Sequence, residues 1–132
     1  MILGFDPGHH KCGLAVMDQE KHLYYHQVVK PSAVARTITK LHQEFQINLI
    51  VIGDQTTSEF WKQNITKIIS EIPIIKVDER YSSLEARDRY WQIYPPQGLV
   101  RLIPPGMRIP SQPIDDIVAM ILIERYLINV SK

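Results

Sequence analysis

The sequence predicts an α/β domain built on a mixed five-stranded sheet with helices on both faces, and three observations predict it. Residues 2–6, 12–17 and 22–29 alternate or run apolar between short turns, the pattern of a three-stranded antiparallel meander. Residues 47–53 and 72–77 are nearly continuous apolar runs, as expected of parallel strands covered on both sides. Amphipathic stretches separate and follow these two runs, so the chain continues as crossovers that lay helices over the sheet.

Each element has its own signal. The first strand, "ILGFD", is apolar for four residues and stops on Asp6, ahead of a Pro-Gly turn. A carboxylate there serves as a turn former, a phosphate-loop element or a metal ligand, and the strand alone does not choose. Pro31 and Ser32 open a helix with Val34, Ile38, Leu41 and Phe45 on one stripe. After the strand at 47–53, Thr56 and Glu59 have capping-box spacing. They precede a helix whose stripe is Trp61, Ile65, Ile68, Ile69 and Ile72. After the strand at 72–77, Ser82 and Glu85 repeat the capping-box pattern before a helix that runs to about Tyr94. Residues 95–113 hold six of the nine prolines and read as a long loop. Pro113 then stands at or near the first position of a last helix, which runs to about Asn129. The order βββ-α-β-α-β-α-loop-α is that of ribonuclease H-like domains with one helix inserted before the last. One domain over residues 1–132 accommodates all of it.

Composition narrows the setting. The lone cysteine, Cys12, excludes an internal disulfide and favours a reducing compartment. The first residues carry no basic n-region of a signal peptide. The longest stretch free of charge and proline in the last third, residues 117–123, is too short to span a bilayer. A cytoplasmic protein without membrane association is the expectation. The net charge of +1 does not advertise a nucleic-acid binder, so any such reading has to rest on local charge.

The acidic residues carry the chemistry. In open α/β sheets ligands sit beyond the carboxyl ends of strands. Asp6 ends the first strand, Asp54 the fourth, and Asp78 and Glu79 the fifth; Asp115 and Asp116 lie in the first turn of the last helix. Each has a purely structural reading as well: turn residue, lead into a cap, solvated loop pair, or partner of a helix dipole. Together they exceed what turns need, and clustered carboxylates repel unless divalent cations neutralise them. Hard cations such as Mg²⁺ take oxygen ligands, and two can clamp the attacking and leaving oxygens of a phosphodiester. Lys11, Arg80, Arg101 and Arg108 are candidates for phosphate contact. His9 and His10 read as solvated turn residues, Tyr90, Trp91 and Tyr94 as the inner face of a helix, and Cys12 as packing.

"GFDPGHHKCGLAV", "VDERYSSLEAR" and "PIDDIVAMILIERYL" together resemble the YqgF/RuvX family of ribonuclease H-like proteins, described as Holliday-junction resolvases and as pre-ribosomal RNA nucleases. The pattern D-E-R-x-[ST]-[ST]-x-E-A at residues 78–86 is the most specific of the three. The first motif alone is less so, because actin-like ATPases also use an Asp-x-Gly strand turn. The resemblance implies that Asp6, Glu79 and Asp115 are the catalytic, metal-binding acids, with Mg²⁺ or Mn²⁺ as cofactor. It implies substrate or backbone-positioning roles for Arg80, Ser82 and Ser83, and a basic contact from Lys11. After the fourth strand the family reads Gly-Leu-Pro and then Asn-x-x-Gly, whereas this chain reads "GDQTTS". That departure adds Asp54 as a further candidate ligand, beside Asp116.

The expected function is a metal-dependent endonuclease that hydrolyses phosphodiester bonds in structured nucleic acid, either branched DNA or a 16S rRNA precursor. A homodimer would suit a two-fold junction, although the sequence shows no interface. The rival is a catalytically inactive ribonuclease H-fold module for nucleic-acid binding or ribosome assembly. An actin-like ATPase needs two such domains around its nucleotide, and this length holds one.

Overall fold

Three antiparallel strands open the chain: β1 (Ile2–Asp6), β2 (Cys12–Met17) and β3 (Leu23–Val29). They are followed by α1 (Val34–Phe45), β4 (Leu49–Gly53), α2 (Ser58–Ile68), β5 (Ile74–Val77), α3 (Ser82–Ile93) and α4 (Asp115–Val130). These elements come from a computed structural model that describes residues 1–55 and 57–131. The sheet has the order β3-β2-β1-β4-β5, with β4 and β5 parallel to β1. This is the mixed five-stranded sheet that the apolar runs predict.

Strand parity divides the core in two. Leu3, Phe5, Leu14, Val16, Ile50 and Ile52 face α1 and α2 and are fully buried. Ile2, Ala15, Met17, Val51 and Val77 face α4, with α3 packed outside. Because α4 lies between the sheet and α3, it is apolar on nearly every side, and residues 117 to 123 are all buried. Helices therefore cover both faces, as expected.

Small residues let α4 lie close. A Cβ built on Gly4 would stand 2.4 Å from the Ala119 carbonyl oxygen, so only glycine there permits this approach of helix to strand.

Several local expectations change. Ser82 is the first residue of α3, not its cap: Tyr81 takes a left-handed conformation (φ 61°), and the Ser82 N–H donates to the Glu79 carbonyl at 3.1 Å. Glu85, the other half of the expected capping box, is instead held by Arg125 at 2.6 Å. Of the box at Thr56 and Glu59, Thr56 lies outside the described residues; Glu59 pairs with Lys76. Ile68 is exposed because α2 stops there, while Ile69 and Ile72 turn into the core beyond it. Tyr90 is buried as a core residue should be, and its hydroxyl meets the Ser111 hydroxyl at 2.9 Å. Tyr94, one turn on, is 46% exposed and is not core. The proline-rich stretch contains two short 3-10 turns, Gly98–Leu102 and Pro105–Met107, and α4 begins two residues after Pro113. Among the described residues no helix is long and apolar enough to cross a membrane.

Candidate active site

Asp6 is the last residue of β1 and shares the α4 face with Ile2 and Gly4, four and two residues earlier. In the antiparallel ladder it pairs with Gly13; in the parallel ladder Phe5 pairs with Ile52, which sets Asp6 level with Gly53. A glycine thus flanks it on each side. A Cβ on Gly13 would fall 1.8 Å from the Asp115 carbonyl oxygen, so the first turn of α4 rests directly on β2 beside Asp6. A Cβ on Gly53 would fall 2.6 Å from the Glu79 carboxylate carbon, so that side chain lies across the end of β4. Two missing side chains make room for two acids. Glu79 is buried, and its Oε1 accepts the Gln55 N–H at 2.9 Å.

The electrostatics couple Asp6 to the other two acids. The Asp6 carboxyl is pushed up from 3.8 to about 7, first by burial and then by the charges of Asp115 and Glu79. Among the described residues no cation or hydrogen bond offsets that rise. Burial also raises Glu79, with Asp54 and Asp78 adding to it and the Gln55 N–H and the Arg125 charge opposing it. Asp115 is raised by burial and eased by its own main-chain N–H and by Lys11. An all-carboxylate donor set whose buried member, Asp6, has no compensating charge fits a hard divalent cation. The three are more widely spaced than the tightest acidic group of the fold. Among the described residues only Asp18, Glu20 and His22 bring ligand atoms all within 4.8 Å of one another. That group lies in the β2–β3 turn at the opposite end of the sheet. Its hydrogen bonds account for it: Asp18 accepts the N–H groups of Glu20 and His22 and the Tyr24 hydroxyl, closing the turn.

The chain matches the family model described as "RuvX: Holliday junction resolvase" over residues 1–129. It belongs to the RuvX family. That membership supports a nuclease-type function, since resolving a junction means cutting nucleic-acid strands. Among solved structures the chain is similar to Thermus thermophilus RuvC, with a TM-score of 0.54 and 14% identity over 92% of this chain and 88% of that one. The likeness supports a ribonuclease H-like fold of the RuvC kind. A candidate sugar kinase from Cytophaga hutchinsonii aligns at a TM-score of 0.48 and 9% identity, over 66% of this chain. The chain spans 38% of that kinase's length. No curated protein matches.

In this RuvX-family chain the remaining expected residues separate. Asp54 is exposed, and its Oδ1 faces the Glu79 N–H at 3.4 Å, at the rim of the acidic group. Asp116 turns away: its Oδ2 lies 2.7 Å from His26 Nδ1, and its Oδ1 accepts the Ile117 N–H. Lys11 is exposed beside Asp115. Arg80 is exposed and forks onto Asp78 at 3.1 Å. Ser83 is exposed, whereas Ser82 is buried, because the left-handed Tyr81 turns the first residue of α3 inward. His9 and His10 are exposed, as solvated turn residues are. Sequence reasoning missed three participants. The Gln55 N–H carries no side-chain signal. His26 is detectable only through parity, because it pairs with Ala15 and so shares the α4 face. Arg125 donates to the Asp78 carbonyl at 2.8 Å and fixes the turn that carries Glu79.

Proposed function

We propose that this chain is a metal-dependent endonuclease for structured nucleic acid, acting as one domain, with branched DNA as the favoured substrate because of its family. What supports the reading is that Asp6, Glu79 and Asp115 lie at one end of the sheet, with the buried Asp6 raised by the other two and eased by no cation. These three would hold Mg²⁺ or Mn²⁺, with Asp54 at the rim; Asp116 serves chiefly to bind His26. When bound, the ion supplies Lewis acidity at the scissile phosphate and offsets the charge of the acids.

The chain's own groups do the rest. The Gln55 N–H orients the Glu79 carboxylate. Lys11 stands where a phosphate approaching Asp115 would meet a positive charge. Arg80, exposed on the turn after β5, and Ser83, exposed in the first turn of α3, border the same end of the sheet. A homodimer would present two such sites to the symmetry-related strands of a junction. The reduced Cys12 thiol, buried in β2, is consistent with a cytoplasmic setting.

The test is a side-by-side assay on a four-way DNA junction and a ribosomal RNA precursor with Mn²⁺, using wild type and Asp6→Asn. Cleavage by the wild type alone supports the reading, and the preferred substrate identifies the class. Binding without cleavage of either substrate establishes the inactive module instead.

A further inference from the structure

The acidic site has two flanks, and they differ in charge. On the β5 side the bases are already matched: Lys76 pairs with Glu59, Arg80 with Asp78 and Arg125 with Glu85. Asp54 is left exposed there, so that flank repels a polyanion. The β3 side is the reverse. Lys11 and Lys30 are exposed, and among the described residues neither lies in an ion pair. Of the carboxylates nearby, Asp115 lies beside Lys11 at the acidic site, and Asp116, which lines the cleft, is held by His26.

Between these lysines lies a cleft of about 450 Å³, walled on one side by β3 and on the other by Tyr94, Gln112 and Pro113. A neighbouring cleft shares Lys11, Gln112 and Pro113 and reaches Asp115, so the space is continuous with the acidic group. β3 is an edge strand, paired with β2 alone, and its outer main-chain groups face solvent. The Tyr94 ring, stacked obliquely on Tyr90 at 5.0 Å, is held in place while almost half its surface stays open. Cations beside a fixed aromatic ring and amide side chains are the ingredients of a single-strand track.

We infer that this cleft seats the nucleic-acid strand flanking the scissile phosphate, with Lys11 and Lys30 on its phosphates and Tyr94 against a base. The strand therefore leaves the acidic site across the β3 edge and not across β5. This deepens the nuclease reading and rests on it.

The experiment measures binding of a labelled single-stranded oligonucleotide and of a four-way junction in EDTA, across a salt series, so that cleavage plays no part. Lys30→Glu is expected to weaken binding about tenfold and to lower the slope of log affinity against log salt by about one or more. Tyr94→Ala is expected to cost about tenfold with the salt slope unchanged, because stacking releases no counterions. Lys67→Glu, a matched charge reversal on α2, is expected to stay within about twofold of wild type. Wild-type affinity in both cleft variants overturns the cleft while leaving the nuclease reading intact. So does a larger loss from Arg80→Glu than from Lys30→Glu. Failure of the wild type to bind either probe overturns both readings.

Discussion

Asp6→Asn separates the electrostatic cost of the acidic group from its use. The substitution keeps shape and removes one charge. In the fold the Asp6 carboxyl titrates at about 7 against an ordinary 3.8, because it is buried and faces Asp115 and Glu79. The folded state therefore binds the proton more tightly than the unfolded chain, and stability falls as pH rises from 3.8 through 7. At about 1.4 kcal/mol per pH unit, the full loss above pH 7 is up to about 4 kcal/mol without metal. Asn carries no such loss. Thermal unfolding in EDTA should show the variant gaining on the wild type by about 2–3 kcal/mol between pH 5 and pH 8. For a domain of this size that is on the order of 10 °C. Mg²⁺ at pH 8 should then raise the wild type by about 3 kcal/mol at a hundredfold excess over its dissociation constant, and the variant much less. Cleavage by the variant should fall at least about 100-fold, since even outer partners of metal ligands cost that much. A variant whose stability advantage does not grow with pH, or which cuts at the wild-type rate, would refute the reasoning.

Other perturbations probe how the site is assembled. Gly13→Ala places a Cβ 1.8 Å from the Asp115 carbonyl oxygen and 2.6 Å from the Asp116 nitrogen, both main-chain atoms. The start of α4 must move, so urea unfolding should register a loss of about 3 kcal/mol, with cleavage lost as well. Gly53→Ala meets only the flexible end of Glu79, so stability should fall by no more than about 1–2 kcal/mol. Cleavage should nonetheless drop at least about tenfold as the carboxylate leaves the Gln55 N–H, a split that parallel kinetic and denaturation measurements would reveal. Arg89→Ala removes the two-pronged contact with Glu124 at 2.9 and 2.8 Å that ties α3 to α4. Chemical denaturation should report about 1–2 kcal/mol, with cleavage at saturating substrate unchanged.

The strands were legible in the sequence because period-two alternation and short continuous apolar runs between turns are what a half-buried or fully covered sheet requires. Strand ends and a helix start put six acids, Asp6, Asp54, Asp78, Glu79, Asp115 and Asp116, at this end of the sheet, and only the family resemblance singled out three of them. The closeness of those three was not legible, since it depends on Gly13 and Gly53 standing on either side of Asp6, a consequence of register between distant strands. The partner of Asp116 lies ninety residues away in β3, beyond any local pattern. The Ser82–Glu85 spacing misled for a local reason: a left-handed Tyr81 supplies the turn, and Arg125 takes the glutamate. Tyr94 shares a helical stripe with Tyr90, but α3 ends at Ile93 and the next residue leaves the packed face.

The last helix acts as a gauge. It carries Asp115 as its first residue and, ten positions on, Arg125, whose guanidinium grips the peptide just before Glu79. At 1.5 Å of rise per residue these two points are fixed about 15 Å apart along one rod. Two of the three acids are thus indexed to a single rigid part, and neither can drift relative to the other while that rod is intact. Insertion of one residue between Asp115 and Arg125 would rotate the two fixings by about 100° relative to each other. The spacing of the acids is in this sense a property of helix length, inherited whole or lost whole.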